Sequence, residues 1–356
     1  MGSTPMANPV TQDHRQPAAT GTAPVAHRRR FEIRSLGEVG ALVVLVVVFG
    51  ALNPSTFLSV GNLQKVLDQA ATPLIVGVGA TLVILMGCID LSVEGVMGAA
   101  GMTFILTTLH LRGGVESPTD LGFLSFVLAV LVGAALGAVN GLIHTRLKVP
   151  SFIVTLGVWF VGLGIGIILF GTSAQPNLSD AAAQWPTRNL LGLPHSFWLA
   201  VVVAVLGVVV TRYTKLGRFA YAIGNNEDIA RSNGIPVRRI KLYVFVLAGA
   251  FSGLAGILAI LQLGQGTPSV GASGAAGSST LFLTIAAVVI GGTSLAGGRG
   301  GILRTVLGVF LLTILNNGLL LAGVDPGYRS GVSGLVLILA IVAAAWPLRS
   351  RLRIVK

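Results

Sequence analysis

Residues 196–263 read SFWLAVVVAVLGVVVT (196–211), RYTKLGRFAYAIGNNEDIARSNGIPVRRIK (212–241) and LYVFVLAGAFSGLAGILAILQL (242–263). Two apolar runs of roughly bilayer-crossing length flank a polar segment that carries Arg212, Lys215, Arg218, Arg231, Arg238, Arg239 and Lys241. That alternation is the pattern of membrane spans joined by a loop. Within the loop, NNEDIARSNG (225–234) holds the start and stop signals of a short helix. Asn225 or Asn226 caps it, Glu227 and Asp228 suit its positive first turn, and Gly234 followed by Pro236 ends it. Such a capped helix on a basic loop is suited to docking a cytoplasmic partner; the alternative is an ordinary solvated loop.

Composition supports the membrane reading. The chain has 356 residues, 53% of them hydrophobic and 10% charged, where a soluble domain carries about 25% charged residues. The single cysteine, Cys88, lies in an apolar stretch, so no disulfide framework can form within the chain. The net charge of +12 is spread over loops beside apolar runs, without the aromatic-interleaved basic patch of a nucleic-acid binder. A lipid bilayer, not nucleic acid, accounts for that charge.

Apolar runs of about span length fall near 36–56, 70–89, 93–111, 122–145, 151–171, 196–211, 242–263, 280–297, 301–322 and 331–347. Ten spans in an all-α polytopic membrane protein are therefore expected. With the N-terminus inside, all but four (Lys65, Arg112, Arg188 and Arg329) of the 24 Lys and Arg fall on the inner side. Both termini and the 212–241 loop are thus expected to be cytoplasmic. The expected division is a basic, disordered tail over 1–35, a membrane domain over 36–347 and a basic tail over 348–356. No cleaved signal peptide is expected, because the first apolar run starts late. On the outside, 172–195 is polar enough to face a periplasmic partner, and the Gly/Ser/Ala-rich 264–279 is suited to dipping back into a protein-lined cavity.

Polar residues within or beside the runs are the candidate functional groups. Gly87, Asp90 and Ser92 form a turn after the second run, where Asp90, assisted by Ser92, is expected to cap the third helix by accepting its free amides. A carboxylate at membrane depth is also a functional candidate in its own right. Glu94, just beyond, is expected to reach the cytoplasmic interface. Asn140, Asn316 and Asn317 put amides inside spans, where they either bond neighbouring helices or line a polar path. Phe152, Thr155, Trp159, Gln262 and Gln265 are of the same sort. Aromatics and neutral amides suit an uncharged polyol better than an ion. The glycine-rich GGTSLAGGRGG (291–301) has no GKS or GKT ending, and none of the five lysines precedes Ser or Thr, so the chain has no Walker A loop. Gly291, Gly292, Gly297 and Gly298 are read as turn and close-packing positions. No metal-ligand spacing, catalytic triad or HExxH motif is present.

Five ordered blocks carry a resemblance: GCIDLSVEGVMG (87–98), VPSFIVTLG (149–157), GRFAYAIGNNEDIARSNGI (217–235), AAVVIGGTSLAGGRG (286–300) and NNGLLLAGV (316–324). Together they resemble the ribose-type sugar permeases of bacterial ABC importers, from about residue 36 to the C-terminus. The resemblance implies a non-enzymatic translocation subunit in the inner membrane. Its implied partners are a tandem ATPase that binds ATP and Mg, a periplasmic sugar-binding protein, and a second copy or a close paralogue. It also implies that the loop containing Arg218, Gly224, Asn225, Asn226, Glu227, Ala230, Arg231 and Gly234 couples to the ATPase. Glu94 stands where such permeases usually have Gly, and Arg329 follows Tyr328 where a neutral Gln is common. Relatives in the wider group move sugar alcohols, inositols, autoinducer-2, nucleosides and branched-chain amino acids, so a pentose or hexose is the implied substrate class. A proton-coupled secondary transporter is the competing reading, with Asp90 and Glu94 as its main candidate carboxylates.

Overall fold

The computed structural model describes residues 27–108, 121, 123–171, 177–271 and 279–325, short runs between 327 and 338, and Gly2. Among these, the chain runs through α1 (His27–Leu52), α2 (Pro54–Phe57), α3 (Val60–Leu85), α4 (Val93–Thr107), α5 (Phe123–Leu147) and α6 (Ser151–Phe170). It continues through α7 (Asp180–Gln184), the short hairpin β1 (Asn189–Leu190) and β2 (Leu193–Pro194), α8 (His195–Tyr213), α9 (Lys215–Asn225) and α10 (Glu227–Ser232). The last described helices are α11 (Val237–Leu263), α12 (Thr280–Ile290) and α13 (Ile302–Leu321). The architecture is thus helical apart from that hairpin, whose register pairs Asn189 with Pro194 and Leu190 with Leu193.

Nine of the ten expected runs coincide with helices, and the tenth, 331–347, falls mostly outside the described residues. Only six of the nine, α3, α5, α6, α8, α11 and α13, are long and apolar enough to cross a bilayer. The other three, Glu38–Leu52, α4 and α12, are shorter apolar helices. The α12 run stops early because Gly291 and Gly292 (φ +81°) turn the chain out of the helix. Helix α1 starts at His27, inside the stretch expected to be an irregular tail, and the 348–356 tail lies outside the described residues.

Helix α3 forms the centre. Its most apolar window is 83% buried, against 28% for those of α6 and α8. Those outer helices keep Phe160, Ile168, Val202 and Val205 exposed, an arrangement that suits lipid rather than water. Between α5 and α11 the backbones touch. A Cβ on Gly133 would lie 2.4 Å from the Gly249 carbonyl oxygen, and one on Gly137 2.2 Å from that of Phe245. The four-residue spacing of Gly133, Gly137 and Gly141 lays these glycines along one face, the small-residue seam by which membrane helices pack closely.

The α11–α12 connection runs inward. Gly264 (φ +68°) ends α11 and reverses the chain. On α4, Gly101 sits beside Ile260 of α11, Gly98 beside the carbonyl of Pro268, and Glu94 beside Gly271. Residues 264–271 therefore travel back along α4 as irregular backbone, with Gly266, Val270 and Gly271 buried against the protein and Ser269 exposed. Residues 272–278 lie outside the described residues.

Candidate functional site

The 212–241 segment folds as two helices hinged on one residue. Thr214 caps α9, its Oγ1 accepting from Gly217 N at 3.4 Å. Asn226 ends α9 in an extended conformation (φ −163°) and caps α10, with Oδ1 accepting from Ile229 N at 3.0 Å. At the far end, Gly234 (φ +77°) closes a two-bond terminus: Gly234 N donates to Arg231 O and Ile235 N to Ala230 O. Pro236 then leads into α11. The helix expected over 225–234 is present, with Asn226 rather than Asn225 as its cap.

Its two faces differ. Ala230 is buried, and Glu227 turns toward the bundle. Arg218, Asn225, Asn226, Asp228, Ile229, Arg231 and Gly234 are exposed, and Ile229, at 61%, is an apolar side chain offered to the outside. The loop residues thus divide into an outward set and an inward pair.

Beneath α9 two backbone turns meet, the end of α3 at 85–87 and the glycine loop at 296–300. A Cβ on Gly224 would lie 1.9 Å from Leu85 O and 2.5 Å from Gly298 N. Those two atoms are themselves hydrogen-bonded at 2.9 Å, which satisfies a carbonyl that the end of α3 leaves open. Gly297 (φ +85°) fits against Gly87 and Gly224, Gly298 (φ +70°) against Asn225, and Gly87 (φ +73°) against Ala296 O. Tyr221 Oη donates to Gly300 O at 2.9 Å and pins α9 to the same loop. The glycine-rich loop is therefore a joint between α9, α3 and α13. Gly291 belongs to it by packing on the Arg304 backbone, and Gly292 by lying near Glu38 and Arg304.

From that joint an extended stretch, 88–92, leads to α4. Ile89 N donates to Ser151 Oγ (3.1 Å) and Leu91 N to Thr155 Oγ1 (2.9 Å), so α6 holds it like a neighbouring strand. Asp90 Oδ1 accepts from Ser92 N (2.8 Å) and Ser92 Oγ (2.6 Å). It thus closes a turn ahead of α4 rather than capping the amides of the helix proper, and Ser92 occupies the cap position without a side-chain cap bond. Asn140 Nδ2 donates to Ser92 Oγ at 2.8 Å, while its buried Oδ1 has no hydrogen-bond partner among the described residues. The interface position expected for Glu94 is corrected. Glu94 is buried and accepts from Leu281 N at 3.1 Å and from Ser279 Oγ, so it closes the first turn of α12. The reason is that Gly271 and the start of α12, joined by the Thr280 N to Gly271 O bond, both pack against the first turn of α4.

The path candidates do not converge. Asn140 and Thr155 hold the 88–92 stretch, while Phe152 points outward and is half exposed. Asn317 and Asn62 exchange two 3.0 Å bonds between α13 and the start of α3, and Asn316 Nδ2 donates to Leu312 O. Asn62 lies 23 residues before Leu85, ~34 Å along α3. Gln265 pairs through its backbone with Asn177. Its neighbour Gln262 joins a separate polar set with Asp68, Thr72 and Ser196 on α3 and α8.

Two residues escaped sequence reasoning. Lys241 Nζ donates to Glu227 Oε2 (2.7 Å) and to His144 Nε2 (3.3 Å), and Cys88 Sγ lies 3.7 Å from the same His144 nitrogen. Because Val149 O, 2.7 Å from Nδ1, can only accept, the ring proton sits on Nδ1 and Nε2 is the bare acceptor. Burial alone would raise the Glu227 pKa. The Lys241 hydrogen bond and charge, with Arg231, nevertheless hold it below the ordinary carboxylate value. Lys241 was legible in one respect: it stands with Val237, Ile240, Val244 and Phe245 on the buried stripe of α11, an unusual place for a cation.

Residues 62–341 match the family described as branched-chain amino acid transport system / permease component. The ribose import permease protein RbsC of Escherichia coli K12 is 34% identical over 90% of this chain and 98% of its own. The D-allose transport system permease protein AlsC of the same organism is 32% identical, covering 86% and 90%. The fructose import permease protein FrcC of Rhizobium meliloti is 33% identical, covering 86% and 83%. No solved structure matches the chain.

Proposed function

This chain belongs to the branched-chain amino acid transport system / permease component family of multi-pass membrane proteins, and we propose that it is the translocation subunit of an ATP-driven monosaccharide importer in a bacterial inner membrane. The carrying observation is identity at about one residue in three along nearly the full length of permeases named for ribose, allose and fructose. The family description speaks of amino acids, but those full-length matches are to proteins named for sugars and weigh more on substrate class.

In this reading both termini and the α9–α10 pair are cytoplasmic. A separate ATPase binds ATP and Mg, a periplasmic binding protein delivers the sugar, and a second permease copy or paralogue completes the path. The outward face of α10, with Ile229 between Asp228 and Arg231, docks on the ATPase. ATP closes the ATPase dimer and moves α9–α10, which biases the spans toward the state open to the binding protein; hydrolysis resets them. The α9 joint with Leu85 and Gly298 gives that motion a direct backbone route into α3.

The test is binding-protein-stimulated ATP hydrolysis in liposomes, with the permease co-purified with the ATPase. Ribose, xylose, arabinose, galactose, allose, fructose, inositol and erythritol are compared. Stimulation by one sugar identifies the cargo. Uptake driven by a proton gradient with no associated ATPase would sink the reading and return attention to Asp90.

A further inference from the structure

Among the described residues, one side-chain ion pair leaves α10 for another element, that of Glu227 with Lys241 on α11. The other side-chain bonds of α10 stay local: Arg231 to Glu227, Asn233 to Ile229, and the Asn226 cap. Lys241 is only 8% exposed and occupies an apolar-stripe position. Burying an ammonium costs desolvation that an apolar side chain of the same volume would not, and Glu227 on the other side of the pair is partly exposed, so stability alone does not explain a cation there. What the cation does is join elements. Its second partner, His144, ends α5, bonds the α5–α6 link through Val149 O and faces Cys88 at the head of the 88–92 stretch. Ser151 and Thr155, just past that link, hold the amides of Ile89 and Leu91.

We propose that Glu227–Lys241–His144 is a mechanical linkage carrying movement of α10 into the 88–92 stretch, with Lys241 and His144 as positioning residues. This rests on the reading of α10 as the ATPase-docking helix. When α10 shifts, Glu227 drags the ammonium, His144 turns about its bond to Val149 O, and both the α5–α6 link and Cys88 feel the change. The glycine joint at Gly224 moves α3, whereas this linkage moves α5 and α6; together they let one cytoplasmic displacement act on both sides of the 88–92 stretch.

The test uses the full transporter in liposomes: permease, ATPase and binding protein. The variants are Lys241→Met, which keeps the stem and removes the charge, and Lys241→Arg, which keeps the charge. Two quantities are read: sugar taken up per ATP hydrolysed, and the rate at which a small maleimide alkylates Cys88, the chain's single cysteine, with and without a non-hydrolysable ATP analogue. In the wild type the Cys88 rate changes with nucleotide. In K241M that response disappears and the uptake ratio falls about 5- to 150-fold, the span of a typical coupling between sites, while the ATPase still co-purifies; K241R recovers both. A wild-type ratio in K241M overturns the linkage. So does a Cys88 rate blind to nucleotide in the wild type, or a K241M loss confined to assembly. Absence of any ATPase with the wild-type permease instead refutes the importer reading, before any variant is compared.

Discussion

Replacing Gly224 by alanine places one methyl group where the structure has no room. The new Cβ would lie 1.9 Å from Leu85 O and 2.5 Å from Gly298 N. Both are backbone atoms, so no rotamer change relieves the clash; α9 must back away from the end of α3 or the Gly298–Leu85 bond must open. Overpacking of this kind costs about 1–3 kcal/mol, and a lost backbone bond adds ~0.5–1.5 kcal/mol. Against this, alanine improves helix propensity by at most ~1 kcal/mol, and less at the penultimate position of α9. The net expectation is destabilisation by about 1–3 kcal/mol. The control is Gly157→Ala on α6, where a Cβ meets nothing within 4 Å among the described residues and only the propensity gain applies. Cys88 supplies the assay: it is buried and unique, so a thiol-reactive dye reports unfolding of the purified protein on heating. Gly224→Ala should lower the midpoint by several degrees and weaken sugar-stimulated hydrolysis, while Gly157→Ala leaves the midpoint equal or raised. A Gly224→Ala protein as stable and as well coupled as the wild type would refute the account of the joint.

Three other outcomes follow from named contacts. Glu94→Ala strips the first turn of α12 of its acceptor and should cost about 1–3 kcal/mol, whereas Glu94→Gln, which keeps an acceptor oxygen, should cost less; the same thermal assay ranks them. Asn62→Ala and Asn317→Ala each strand the other amide, so a double-mutant cycle should give a coupling of ~0.5–3 kcal/mol, and additive losses would mean that the reciprocal pair does not form. The depressed Glu227 pKa means that the ionised carboxylate is favoured in the folded state. Its contribution is complete above the ordinary carboxylate range and is lost only as pH falls through the lower folded value. The midpoint gap between wild type and Glu227→Gln should therefore be flat at neutral pH and close only below pH ~4; a gap that closes near neutrality would contradict the Lys241 pairing.

Much of the membrane architecture was readable because its signals are local or periodic. Apolar runs located nine helices, since a bilayer-crossing helix must satisfy its own backbone and face lipid with its side chains. The 225–234 helix was readable from its cap and its terminal glycine, since those groups act within a few residues of the bonds they complete. Length was less readable. Apolarity does not register where a buried chain breaks, and α4 and α12 read like full spans because the protein around them is as apolar as lipid.

The sequence by itself determined the multi-pass helical character and the family to which its motif blocks point. Hydropathy, charge and short motifs are properties of neighbouring residues, and need no fold to express them. Only the tertiary structure decided what each polar group touches. Glu94 meets α12 across 187 positions of chain, Asn62 meets Asn317 across 255, and Lys241 meets His144 across 97. Such pairings arise from how helices cross, and a buried amide or cation must find a partner wherever the packing supplies one. The same residue types could have lined a path or tied helices together; distance along the chain carries no record of which.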